Sequence, residues 1–108
     1  MPHLDVQSDD GEIERRDLSP KQPITIGSQP LNDLVLAGDE IGPVHCRIGW
    51  NKTGYEVTAT GHEGVDVNGR LVQHAFLRNG DVLRIGRWDL VFQDSDGTRL
   101  QPRTASGT

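Results

Sequence analysis

Apolar and polar positions alternate in short runs along this chain, and the runs end at glycine, proline, asparagine or aspartate. A period of two puts successive side chains on opposite faces of a strand, so each run predicts a strand with one buried face. The pattern is sharpest in the middle of the chain. Val44, Cys46, Ile48 and Trp50 fall on one face, opposite His45, Arg47 and Gly49; Tyr55, Val57 and Ala59 resume it after the loop Asn51-Lys52-Thr53-Gly54. If that loop closes a hairpin, Trp50 faces Tyr55, Ile48 faces Val57 and Cys46 faces Ala59. One register then gathers all the large apolar side chains on one side.

The last hairpin is the clearest. Asp81-Val82-Leu83-Arg84-Ile85 and Trp88-Asp89-Leu90-Val91-Phe92 flank Gly86-Arg87, where glycine can take the positive φ of a two-residue turn. This register pairs Ile85 with Trp88 and Leu83 with Leu90, and sets Arg84 against Asp89 on the outer face. Upstream, Leu4-Asp5-Val6 and the segment Glu12 to Leu18 flank the turn formers Ser8-Asp9-Asp10-Gly11 and read as two more strands. Ile24-Thr25-Ile26 and Leu34-Val35-Leu36 are short strands. Between them and the N-terminal pair, Pro20 and Pro23 exclude a helix or a central strand. About ten to eleven short strands without a helix or an internal repeat imply an all-β sandwich of two antiparallel sheets. Trp50, Tyr55, Phe76, Trp88 and Phe92 are expected in its core, with surface exposure the alternative for Phe76, which lies outside the clear alternation. Residues 94–108 hold little to bury and read as a flexible polar tail after a domain spanning residues 1–93.

Composition supports this outline and removes several functions. The chain has 108 residues, enough for one domain with one core, and its 13 glycines suit many tight turns. The formal net charge of −5 is uneven. Residues 1–20 hold six acids against two arginines, whereas residues 44–93 hold five acids against six basic side chains. Binding to a phosphate backbone relies on lysine and arginine displacing counterions, so no nucleic-acid partner is expected. The lone Cys46 forms no internal disulfide, and no run is long enough to span a membrane. Nor does the N-terminus carry a signal-peptide pattern. The reading is cytoplasmic, without direct membrane contact.

Candidate chemistry is sparse. His45 and Cys46 invite a thiol-nucleophile reading, but strand neighbours point to opposite faces and cannot form a dyad. His3, His45, His62 and His74 lack metal-ligand spacing, so no metal site, cofactor or catalytic set is expected. The glycines have neither nucleotide-binding nor Walker spacing and serve turns. In the tail, Thr98, Thr104 and Thr108 are open to a kinase.

Taken in order, Ile26-Gly27, Asn32-Asp33-Leu34-Val35-Leu36, His45, Gly64, Val67-Asn68-Gly69, Leu77-Arg78-Asn79-Gly80-Asp81, Ile85-Gly86 and Leu90-Val91-Phe92 resemble a forkhead-associated (FHA) domain over roughly residues 4–93. The resemblance implies a β-sandwich whose loops at one end bind phosphothreonine peptides. It also implies an arginine after the first glycine, a serine three residues before the histidine with a basic residue close by, and a Ser-X-Asn-Gly loop. Here Ser28 stands for the arginine, Gly42 for the serine with Pro43 next to it, Gly61 for the loop serine and Glu63 for the asparagine.

The scaffold residues Gly27, His45, Asn68, Gly69, Gly80 and Asp81 are retained, and the candidate peptide-binding loops hold Ser28, Gly42, Pro43, His62, Glu63, Gly64 and Arg70. Arg70 and Arg47 are the cations available to replace the missing arginine. The expected function is a protein–protein interaction module that has lost phosphothreonine binding, with a protein, a peptide or a neighbouring domain as partner. The alternatives are a phosphothreonine adaptor with a rearranged pocket, or a structural domain of a secretion-type assembly.

Overall fold

Alternating β-branched, aromatic and aliphatic residues favour extended backbone when one face can be buried. The computed structural model describes residues 2–11, 13–61 and 64–94, and within them the alternating runs become eleven strands. Six form one sheet in the order β2 (Ile13–Asp17), β1 (His3–Ser8), β11 (Trp88–Gln93), β10 (Val82–Ile85), β7 (Val65–Val67), β8 (Arg70–Val72). Five form the other, in the order β4 (Leu34–Val35), β3 (Ile24–Gly27), β5 (Cys46–Asn51), β6 (Gly54–Ala59), β9 (His74–Phe76).

Both expected hairpin registers are present. β5 and β6 pair Trp50 with Tyr55, Ile48 with Val57 and Cys46 with Ala59. β10 and β11 pair Leu83 with Leu90, Ile85 with Trp88 and Arg84 with Asp89, whose side chains meet at 2.9 Å. Parity explains this, because a slip of one residue would turn every apolar side chain outward. The two inner faces form one core: Leu4, Val6, Leu83, Ile85, Leu90 and Phe92 from the six-stranded sheet join Ile24, Ile26, Cys46, Ile48 and Val57 from the other.

Several details differ from the sequence reading. The loop after β5 is tighter, since Asn51 pairs with Gly54 and leaves a two-residue turn in which Lys52 has φ 53°. β4 runs parallel to β3, with Ile26 opposite Leu34, so the five-stranded sheet is mixed. The Asp33 carboxylate accepts the Thr25 amide at 2.9 Å, which fixes this alignment.

Trp50, expected in the core, is 46 % exposed. It sits close to the hairpin turn at the end of the strand, with Tyr55 edge-on to it at 5.3 Å. Trp88 is half-buried against the core, Tyr55 and Phe92 are buried, and Phe76 is 49 % exposed. Val44 precedes the strand and is exposed, and its carbonyl accepts the Thr60 hydroxyl. The tail after Asp94, including Thr98, Thr104 and Thr108, lies outside the described residues.

Candidate functional site

The loop between β3 and β4 and the loop between β4 and β5 meet at one end of the sandwich through their backbones. At Gly27, a Cβ would collide with the Pro43 carbonyl and come within 2.9 Å of Asn32 Nδ2, so this approach requires glycine. The Ser28 amide donates to the Gly42 carbonyl at 3.0 Å, and its hydroxyl reaches the same oxygen at 3.3 Å. The Gln29 amide donates to the Pro43 carbonyl at 3.2 Å. Asn32 is the buried hub, its Nδ2 donating to the carbonyls of Gln29 at 2.8 Å and Pro43 at 2.6 Å.

His45 joins this cluster from the strand side. Its Nδ1 accepts the Gly42 amide at 3.1 Å, and its own amide donates to the Ile26 carbonyl at 2.7 Å. The Thr60 amide donates to the His45 carbonyl at 3.2 Å, which ties in the chain after β6. Cys46 next to it is fully buried on the other face, and burial pushes its thiol up to about 12. That protonated thiol is no nucleophile at neutral pH.

Asn68, Gly69, Gly80 and Asp81 form a second network. Asn68 and Gly69 have φ of 54° and 86° and turn β7 into β8. Asn68 Nδ2 donates to Asp81 Oδ1 and its Oδ1 accepts the Val82 amide, both at 2.9 Å. Asp81 Oδ2 accepts the Arg78 amide at 2.8 Å, and the Gly80 amide donates to the Phe92 carbonyl at 2.7 Å. Every polar group named here is engaged with another part of the backbone or with its neighbour in the network.

The remaining candidates are dispersed. Gly64 opens β7 with φ 79°, and a Cβ there would lie 2.8 Å from the Val72 carbonyl oxygen. Arg70 pairs with Val67 at the far end of that short strand, roughly 10 Å of extended chain away. Arg47 lies on the outer face of the five-stranded sheet, opposite Thr25 and Thr58, beside Pro23 and Trp50. Neither arginine joins Ser28, Gly42 and Pro43. His62 and Glu63 lie outside the described residues.

On the other flank of the loop between β4 and β5, an open cleft of about 390 Å³ is lined by Ser8, Asp10, Asp39, Glu40, Arg87 and Trp88, among others. Three carboxylates against one arginine make it unsuited to a phosphate. Among the described residues no group of three or more His, Cys, Asp or Glu side chains is placed to hold a metal ion, and no helix is long and apolar enough to cross a membrane. Sequence reasoning missed the roles of Asn32 and Thr60. Asn32 was visible as part of Asn32-Asp33, but nothing local marks it as buried.

The two sheets, the retained turns and the apical loop cluster define a forkhead-associated-type β-sandwich. The chain belongs to the Yop-YscD cytoplasmic-domain family, whose description is "Inner membrane component of T3SS, cytoplasmic domain" and whose model matches residues 8–96. No curated protein matches it significantly in sequence. Among solved structures, it is similar to the FHA domain of the CT664 protein from Chlamydia trachomatis (23% identity, 87% of this chain and 97% of that one, TM-score 0.78). It is also similar to the Slr1951 protein from Synechocystis sp. (20% identity, 85% and 93%, TM-score 0.72). A third similar structure is the FhaA FHA domain complexed with the intracellular domain of Rv3910 (24% identity, 83% and 99%, TM-score 0.71).

Proposed function

We propose that this chain is a non-catalytic, cytoplasmic interaction module that docks a protein partner without reading phosphothreonine. Residues 1–93 are the interacting unit and residues 94–108 a polar extension. The observation that carries the reading is the self-satisfied apical cluster. Ser28, Gly42, Pro43, Asn32 and His45 bond to one another or to nearby backbone, and no arginine or lysine belongs to the set. A phosphate dianion needs charge-assisted donors, each worth about 1.5–3 kcal/mol. Two such contacts fewer cost about 3–6 kcal/mol, enough to carry a micromolar ligand to about 0.1 mM or weaker.

A library of phosphothreonine peptides and their unphosphorylated forms, titrated against the protein, tests this. Equal, weak binding of both is the expected outcome. Micromolar binding of the phosphorylated form alone overturns it.

The family match favours a second reading, in which the module is a structural part of a larger secretion-type assembly. The partner is then another component or a neighbouring domain, and its capture from lysate persists after phosphatase treatment.

A further inference from the structure

One lateral side of the sandwich is built by a single segment. Residues 70–77 supply β8, the terminal strand of the six-stranded sheet, and then β9, the terminal strand of the five-stranded sheet. From Val67 to Gly80 the chain holds Arg70, His74 and Arg78 and no acid, although the whole protein carries 16 acids against 11 basic residues. Leu71 is 71 % exposed and Phe76 49 % exposed.

The backbone of β9 is aligned for a further strand. Leu77 donates to the Tyr55 carbonyl and Ala59 donates to the Gln73 carbonyl, each at 2.8 Å, with Ala75 opposite Val57 between them. In an antiparallel pair the residues alternate in the direction of their amides and carbonyls, so those of His74 and Phe76 point away from β6 to the outer edge. Proteins usually blunt such edges with charge or brevity. β2 does so with Glu14, Arg15, Arg16 and Asp17, and β4 is only two residues long. β9, His74-Ala75-Phe76, is as short as the remaining edge strand β8, but its pairing with β6 continues through Gln73 and Leu77. It has no acidic residue and a single titratable side chain, whose Nε2 lies 3.6 Å from Glu56 Oε2.

We propose that β9 is a strand-addition site for an extended, acidic segment of a partner protein. The segment's backbone pairs with His74 and Phe76, its apolar residues cover Phe76, and its carboxylates answer Arg70 and Arg78. Main-chain pairing supplies the attachment, and charge complementarity selects the partner. This edge is separate from the apical cluster, so the two proposals stand independently.

The probe is a seven-residue peptide alternating valine and glutamate, compared with the same peptide carrying lysine in place of glutamate. Backbone NMR and amide exchange are followed during titration into the full chain. Slower exchange at His74 and Phe76 with the glutamate peptide, and at least ten-fold weaker binding of the lysine peptide, are expected. Phe76→Pro removes an outward amide and no internal bond, so it abolishes the effect. Arg70→Glu with Arg78→Glu keeps the strand and weakens binding at least ten-fold. Equal binding of both peptides, perturbation centred away from β9, undiminished binding by either variant, or protection that rises with protein concentration alone overturns the proposal.

Discussion

The amide of Gly42 donates to Nδ1 of His45 at 3.1 Å, and this bond joins the contacts of the Ser28 and Gln29 amides in holding the loop between β4 and β5 in place ahead of β5. A side-chain acceptor for a loop amide contributes about 0.5–1.5 kcal/mol net. His45→Ala therefore lowers unfolding stability by about 1 kcal/mol in urea denaturation, and amide exchange at Gly42 rises by more than the roughly five-fold that the loss of global stability brings to β10 and β11.

Gly27→Ala tests the backbone approach beside it. The added methyl meets the Pro43 carbonyl and Asn32 Nδ2, and backbone yields less readily than a side-chain tip. Overpacking of this kind costs about 1–3 kcal/mol. The melting temperature falls, and chemical shifts move in residues 28–32 and 42–45 together.

Asn32→Ala removes the side-chain donor to the carbonyls of Gln29 and Pro43, which keep only the backbone amides of residue 32 and Gln29. Each lost bond contributes about 0.5–1.5 kcal/mol net, so a loss of about 1–3 kcal/mol is expected. Asn32→Asp fares no better, because the donor is lost and a charge takes its place.

Cys46 predicts an alkaline limb. Its thiol is raised from 9.0 to about 12 by burial, so the unfolded chain releases this proton at a lower pH than the folded one. The contribution is constant below about pH 9 and is lost between about pH 9 and 12, with a slope of up to roughly 1.4 kcal/mol per pH unit. Denaturation at pH 8 and pH 10 measures it. In Cys46→Ala this part of the slope is absent, and thiol reagents modify the native protein only when it unfolds.

Ser28→Arg with Gly42→Ser restores two donors to the apical loops. A Cβ at Gly42 meets nothing closer than 3.7 Å, so the serine fits without displacing the loop. At about 1.5–3 kcal/mol per charge-assisted contact, affinity for a phosphothreonine peptide rises by about 10²–10⁴-fold. Calorimetry of the double variant against the native chain reads the gain directly.

Strand parity made the two hairpins legible from residues alone. Cys46, Ile48 and Trp50 against Ala59, Val57 and Tyr55, and Leu83 and Ile85 against Leu90 and Trp88, admit one register that gathers the apolar set on one face. Positions of tight turns, such as Asn68-Gly69, Gly80 and Gly86, were legible for the same local reason: they need positive φ. Contacts between distant segments were not. Whether Trp50 is covered depends on where the turn after it falls, and the burial of Asn32 depends on a carbonyl eleven residues away. The parallel seating of β4, the separation of Arg70 and Arg47 from Ser28 and Gly42, and the outward amides of β9 all follow from how the two sheets are ordered. Alternation along a strand determines which face is buried; only the assembled sheets decide which neighbours that face and its edges meet.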